Sequence, residues 1–378
     1  MYLSHLSLTN YRNFQDMNLE LPSGMVFIFG RNAQGKSNLL EAIYLLVIGK
    51  SYRTNIDKEL MFQEIPSLKQ VQTLVSGEVK HKNGTLKAMV GLQSFTNDRG
   101  QETKAYKQIR VNGSPTTVTR LVGCINAVLF TPNDIDLVFG PPSGRRRFLD
   151  ILISQVDRNY LHTLQRYHRV ITQRNHLLRL IRDKKGSRDE LDFWDEELVK
   201  EATVISSRRS QVLEDITPMA QKSHFELTGH DENLDLQFEA AVPVQGLKDT
   251  LRVQREREII AGMTIFGPHR DDLLMEIDGM NAATYSSRGQ ARSIALALRL
   301  AEAFFLKRER GEEPLLLLDD VLSELDKKRR HRVLEEAGKY EQILATTAER
   351  LLIQNSPIPP SATYMLERGK IIPQHLED

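Results

Sequence analysis

Gly30-Arg31-Asn32-Ala33-Gln34-Gly35-Lys36-Ser37 fits the pattern G-x-x-x-x-G-K-[ST], and no other stretch limits the fold of this chain so tightly. Such a loop has to join a strand to a helix. The flanks comply. Met25-Val26-Phe27-Ile28-Phe29 is an apolar, partly β-branched run, and Leu39, Ile43 and Leu46 recur at helical spacing behind the loop. This geometry gathers backbone N–H groups and the positive end of a helix dipole around a polyphosphate. Gly30 and Gly35 permit turns that a Cβ would obstruct. Lys36 is expected to reach the β- and γ-phosphates and the Ser37 hydroxyl to ligate Mg²⁺. A chance match in a turn is the rival explanation, and the flanking pattern disfavours it.

A second motif lies almost 300 residues further on. Leu315-Leu316-Leu317-Leu318 reads as a buried parallel strand ending in Asp319-Asp320. Open α/β sheets bind ligands at that C-terminal edge. Asp319 is the natural Mg²⁺-holding carboxylate, and Asp320 is then placed to orient or deprotonate a water. Aspartate is shorter than the glutamate common at the second position, so slow hydrolysis is expected. The bland alternative is a buried strand whose acids cap the next helix.

Between the two motifs, Ser286-Ser287-Arg288-Gly289-Gln290 opens a helix with Ala291, Ile294, Leu298, Ala301 and Phe305 on one face. Small polar residues and a glycine at a helix start make a second anion-binding end. The first loop already serves the phosphates from one side. A second such end is useful if it meets a nucleotide held by another copy of the chain. A plain N-cap remains open as the alternative.

The remaining chain supplies context. The first 140 residues read as strands around one helix. Met17, Leu19 and Leu21 alternate with polar residues, and Leu74 to Val79 and Leu86 to Leu92 flank a hairpin signal at Lys82-Asn83-Gly84. From Phe148 to Ser210 the pattern is helical and charged, suited to two or three helices. Strands are expected again at Met263 to Phe266 and Leu273 to Ile277. Lysine plus arginine (51) nearly cancels aspartate plus glutamate (50), so overall charge does not point to nucleic acid. The single cysteine, Cys124, excludes an internal disulfide, suits a reducing cytoplasm and reads as a small buried hydrophobe. No signal peptide or membrane-length apolar run is evident, so a cytoplasmic location with no membrane partner is expected.

These motifs carry a resemblance. Ser287-Arg288-Gly289-Gln290 resembles the signature motif of ATP-binding-cassette ATPases, with Arg288 where transporters have glycine, and Ser323-Glu324-Leu325-Asp326 resembles their D-loop. Leu8-Thr9-Asn10-Tyr11-Arg12-Asn13-Phe14 is similar to the opening of SMC-like repair ATPases. Lys50-Ser51-Tyr52-Arg53-Thr54, Arg145-Arg146-Arg147-Phe148-Leu149-Asp150 and Gly267-Pro268-His269-Arg270-Asp271-Asp272 extend the match to the RecF family of bacterial recombination mediators.

The resemblance implies an α/β fold: an ATP-binding-cassette P-loop head from residues 1–146 and 262–378, with residues 147–261 inserted as a helical lobe. It implies ATP and Mg²⁺ as cofactors, an ATP-dependent homodimer, weak DNA-stimulated hydrolysis, and binding to duplex DNA and gap junctions. RecO, RecR and RecA are the implied partners in gap repair. By position, Gly30, Arg31, Asn32, Ala33, Gln34, Gly35, Lys36, Ser37 and Arg12 serve the nucleotide. Ser287, Gly289 and Gln290 serve the partner's nucleotide. Ser37 and Asp319 hold the metal, and Lys36 and Asp320 serve catalysis. The switch residue falls at Thr346 or Thr347, and the glutamine-loop equivalent near Asn133 or Asp134.

Arg145, Arg146 and Arg147 open a locally basic stretch that continues through Arg158, Arg166, Arg169, Arg174, Arg179, Arg182, Lys184 and Lys185. It is a candidate phosphate-backbone footprint, with a solvated, internally paired helix face as the alternative. No base-reading motif is present, so binding is expected to follow charge and shape. His269 with Asp271 and Asp272 could suggest metal, but no second histidine stands at ligand spacing, and a local salt bridge or a turn near the nucleotide face is the better reading. Trp194, with Leu191 and Leu198, reads as helix packing.

Overall fold

The computed structural model describes residues 1–62, 70–95, 106–229 and 231–374. The N-terminal part runs β1 (Tyr2–Tyr11), β2 (Phe14–Glu20), β3 (Gly24–Phe29), α1 (Lys36–Ile48), β4 (Gln70–His81), β5 (Gly84–Phe95), β6 (Tyr106–Val111), β7 (Ser114–Thr116), α2 (Val118–Leu121) and β8 (Ala127–Phe130). The middle runs α3 (Asp136–Phe139), α4 (Pro142–Val156), α5 (Arg158–Arg182), α6 (Glu190–Thr228), β9 (Leu234–Glu239), α7 (Val244–Val253), α8 (Arg255–Ala261), β10 (Asp272–Ile277), β11 (Met280–Asn281) and α9 (Ala282–Tyr285). Then come α10 (Arg288–Arg310), β12 (Leu315–Asp319), α11 (Lys327–Ala337), β13 (Gln342–Thr347), α12 (Arg350–Gln354), β14 (Ala362–Glu367) and β15 (Lys370–Gln374).

The chain divides into two compact units. Residues 1–134, 226–230 and 296–378 form the first; residues 135–225 and 231–295 form the second. The second is larger than the insert expected at 147–261, because β10 and the start of α10 group with it.

The first unit holds two sheets. One is antiparallel, in the order β2-β1-β4-β5-β6-β7. The other, β15-β14-β3-β13-β12-β8, is parallel except for the edge pair β14-β15. The expected hairpin forms, with His81 opposite Gly84 across a two-residue turn. Helix α1 is buried on nearly every side, and Leu39, Leu40, Ile43, Leu45, Leu46 and Val47 join one apolar core with residues of both sheets. A helix apolar all round belongs inside, and this one anchors the phosphate-binding loop between two layers. Cys124 is half-buried rather than fully buried, and its Sγ donates to the Arg120 carbonyl.

Two or three helices are expected from Phe148 to Ser210; the second unit contains three there, α4 to α6, and a small antiparallel sheet β11-β10-β9. Trp194 packs on the cluster of Leu177, Leu178, Ile181 and Leu191, as core packing requires. The strand expected at Met263 to Phe266 does not form. Gly262 ends α8 in the left-handed region (φ 66°). The Met263 N–H returns to the Glu258 carbonyl, and the next two go to side chains: Thr264 donates to Asn175 Oδ1 (2.6 Å) and Ile265 to Glu258 Oε1 (2.7 Å). Backbone donors satisfied this way do not need a ladder. Among the described residues, no helix is long and apolar enough to cross a membrane.

Candidate nucleotide-binding site

Strand β3 delivers the loop at the C-terminal edge of the parallel sheet, and α1 begins at Lys36. Both glycines are forced. A Cβ on Gly30 would lie 2.3 Å from the Leu366 carbonyl oxygen. Gly35 has φ 110°, and a Cβ there would fall 2.4 Å from the Asn13 side chain. Lys36 curls back over the loop, and its Nζ donates to the carbonyls of Gly30 (2.8 Å) and Arg31 (3.1 Å). Burial lowers the Lys36 pKa, while Asp320 and Asp319 pull it back up.

Strands β3 and β12 are separated by β13, which sets Asp319 directly beside Thr346. Asp319 is buried, and its carboxylate accepts three hydrogen bonds. Oδ1 takes Ser37 Oγ (2.8 Å) and Thr346 Oγ1 (3.0 Å); Oδ2 takes the Tyr52 hydroxyl (2.8 Å). The two sequence motifs are thus joined by one short bond, Ser37 to Asp319. Of the two switch candidates, Thr346 meets Asp319, while Thr347 Oγ1 accepts from the Glu349 N–H. Asp320 sits in the left-handed region (φ 51°), its N–H donating to Thr346 Oγ1 (3.0 Å). Ser323 Oγ donates to the Asp320 carbonyl and to its Oδ1.

Nothing in the sequence assigns Tyr52 a role beyond its place in the run from Lys50 to Thr54. Its ring meets Tyr44 edge-on at 5.8 Å, and burial, then Asp319, raises the phenol pKa, so the hydroxyl stays a donor. No motif spacing reveals this contact, because Tyr52 reaches across from the segment after α1. Tyr52→Phe is expected to cost about 1.5–3 kcal/mol, the usual worth of a hydrogen bond to a charged group. Thermal unfolding measures it, and an unchanged midpoint would show the bond to be energetically idle.

Arg12 faces Glu41 of α1, which is fully buried: Nε at 2.9 Å and Nη2 at 2.7 Å, with Nη1 on the Glu59 carbonyl at 2.7 Å. Ser51 Oγ shares the same carboxylate. Arg12 also lines a wide cleft with Asn13, Ala33, Gln34, Asn38 and Arg53. Asn13 Nδ2 donates to the Gln34 carbonyl, Asn38 to Asn13, and Arg53 to Asn38, so side chains brace the loop from outside. Of the two glutamine-loop positions, Asp134 is taken by a bidentate pair with Arg299, and Asn133 is exposed.

In the second unit, Ser287 and Gln290 form a capping box at the start of α10. The Ser287 N–H donates to Gln290 Oε1 (2.8 Å), and the Gln290 N–H to Ser287 Oγ (3.2 Å). Gln290 Nε2 also reaches Glu232. The N-cap reading therefore holds, and it leaves Ser287 and Arg288 exposed, with Gly289 half-buried.

The basic cluster needs correcting. Arg145 is buried, bidentate on Asp272 (2.7 and 2.8 Å) and bonded to the Leu137 and Gly140 carbonyls. Arg146 donates to the Asp271 carbonyl. Only Arg147 is exposed. An arginine that satisfies a buried carboxylate is not available to a phosphate. The segment from Gly267 to Asp272 is a structural turn, and its carboxylates are paired not locally but with Arg209 and Arg145 from far along the chain. His269 Nε2 donates to the Thr264 carbonyl and Nδ1 accepts from the Tyr167 hydroxyl, while burial takes its pKa down to about 4. Both ring nitrogens are spent, so no metal is held there.

A P-loop and an aspartate-tipped strand on one parallel sheet, backed by an antiparallel sheet, define the head of an ATP-binding-cassette ATPase. The family model described as the RecF/RecN/SMC N terminal domain matches residues 2–369. The DNA replication and repair protein RecF of Bacillus pumilus is 36% identical over 98% of this chain and 100% of its own length; that of Herpetosiphon aurantiacus is 36% identical over 93% and 94%. Among solved structures, the recombination mediator protein RecF with ATP, of the RecFOR pathway, superposes at a TM-score of 0.87 with 31% identity, covering 99% and 98% of the two chains. An Smc head from Pyrococcus furiosus, at a TM-score of 0.55 and 16% identity over 100% and 97%, shares the fold alone. The chain belongs to the RecF family.

Proposed function

We propose that this protein is an ATP-gated recombination mediator, and the observation that carries the reading is the bond between Ser37 and the buried Asp319. ATP lies along residues 30–37, where Lys36 exchanges the Gly30 and Arg31 carbonyls for phosphate oxygens. Ser37 and Asp319 offer a hydroxyl and a carboxylate, the hard oxygen donors that suit Mg²⁺. When bound, that ion neutralises charge between the β- and γ-phosphates. Asp320 orients the attacking water. Arg12, held on Glu41, borders the nucleotide rather than gripping it.

Each site is completed by a second copy, whose exposed Ser287 and half-buried Gly289 meet the γ-phosphate. Gln290 holds that end in shape. Nucleotide thus stabilises the closed dimer more than the open monomer, which is the differential affinity a switch requires. Closure presents a surface for duplex DNA and gap junctions, and DNA stimulates a slow hydrolysis. RecO and RecR join it in loading RecA during gap repair, a role suited to the cytoplasm.

Mass in solution tests the reading. With a non-hydrolysable ATP analogue the protein should sediment as a dimer, and without it as a monomer. Ser287→Arg should keep nucleotide affinity within about twofold, while the bulky cation blocks pairing. A variant that still pairs, or one that loses nucleotide binding, would remove Ser287 from the site.

A further inference from the structure

Helix α11 opens with Lys327-Lys328-Arg329-Arg330-His331-Arg332, six consecutive basic residues in a nearly neutral chain. Two of them meet carboxylates: Arg329 pairs with Asp326 (2.9 Å) and His331 with Glu335 (3.2 Å). The others do not. Arg330 donates to the carbonyls of Leu322 (2.9 Å) and Leu325 (2.7 Å), and Arg332 to the carbonyl of Glu226. Neutral acceptors fix these guanidinium groups in place but leave their charge uncancelled. Lys327 and Lys328 are exposed and have no carboxylate partner among the described residues.

On a helix, Lys327 faces Arg330 and Lys328 faces Arg332, so like charges stand side by side. They also occupy the first turns, where the helix field disfavours cations. Such a row is internally repulsive until an anion covers it. It runs about 7 Å along the helix, a length suited to successive phosphates of a polyanion. Helix α11 carries no asparagine, glutamine, phenylalanine, tyrosine or tryptophan, and its one imidazole, His331, is paired with Glu335.

We infer that Lys327, Lys328, Arg330 and Arg332 form the surface that holds the phosphate backbone of duplex DNA, an assignment that rests on the DNA-binding reading above. It replaces the cluster at Arg145 to Arg147, of which only Arg147 is exposed. The placement also gives DNA a route to the chemistry. Asp326 caps α11 by accepting from the Arg329 N–H, and Arg330 grips the turn of Val321–Glu324 that follows Asp320. A phosphate bound on α11 therefore loads the same turn that places Asp320.

The test is duplex binding by fluorescence anisotropy across a salt series, on the full chain saturated with a non-hydrolysable ATP analogue. Lys327→Gln/Lys328→Gln should weaken binding about tenfold and flatten the slope of log K against log salt by about 2. Basal turnover and ATP-dependent sedimentation should stay unchanged, while turnover with duplex loses its stimulation. Arg147→Gln, run in parallel, should keep the slope. Unaltered affinity and slope in the lysine variant, or a drop at Arg147 alone, overturns the α11 assignment and leaves the parent reading standing. If the unsubstituted protein binds no duplex at any salt, both fall.

Discussion

Arg174→Met is expected to destabilise the second unit by about 3–5 kcal/mol, the cost of breaking a buried ion pair from one side. Arg174 is fully buried. Its guanidinium donates to Asp195 (2.8 Å), Glu258 (2.6 Å) and Thr264 (2.9 Å). Asp195 keeps a second cation in Arg255 at 2.7 Å, but Glu258 retains only the Ile265 N–H. Methionine fills much of the volume, so the loss is mainly the stranded Glu258 carboxylate. Urea unfolding followed by circular dichroism measures the change. The double variant Arg174→Met/Glu258→Gln should recover a large part of it, since the uncompensated charge is gone. A single variant within about 0.5 kcal/mol of the parent protein would mean that the Glu258 carboxylate is rehydrated at no cost.

Arg174 also shows where the sequence stopped being legible. The loop at residues 30–37, the strand ending at Asp319 and the helix from Arg288 are local patterns. Spacing and apolar runs specify them within a dozen residues, and each forms where expected. The basic stretch is different. Its charges say nothing about their partners, and those partners lie far along the chain: Asp272 for Arg145, Glu201 for Arg166, Asp195 and Glu258 for Arg174. A run that reads as a phosphate-facing surface is in part an internal ion-pair lattice, although Arg147, Arg169, Arg179, Lys184 and Lys185 stay exposed. Conversely, the row at Lys327 to Arg332 follows the D-loop directly, and there Lys327 and Lys328 keep their charge exposed. Within the site, the Ser37–Asp319 bond was foreseeable from motif chemistry. The Tyr52 contact and the Arg12–Glu41 pair were not, because each depends on how segments outside the motifs cross the end of the sheet. The lost strand at Met263 to Phe266 has the same origin, since distant side chains took its backbone donors.

Asp320→Asn is expected to slow ATP turnover by about 10²–10⁴-fold, the range for removing a positioned general base. ATP-dependent pairing should persist and outlast that of the unsubstituted protein. The substitution is mild structurally. Asparagine accepts the left-handed backbone that Asp320 adopts at φ 51°. The N–H bond to Thr346 Oγ1 is untouched, and Ser323 Oγ can still donate to the side-chain oxygen. What disappears is the negative charge that would accept a proton from water. Asp319 is a poorer probe of chemistry. Its two oxygens accept from Ser37, Thr346 and Tyr52 together, and an amide nitrogen cannot accept, so Asp319→Asn would disturb binding and fold at once. Single-turnover hydrolysis, read beside sedimentation in ATP, separates the two roles. If Asp320→Asn turns over within about threefold of the unsubstituted protein, the water is activated elsewhere, and Asp320 serves only to shape the turn that Ser323 closes.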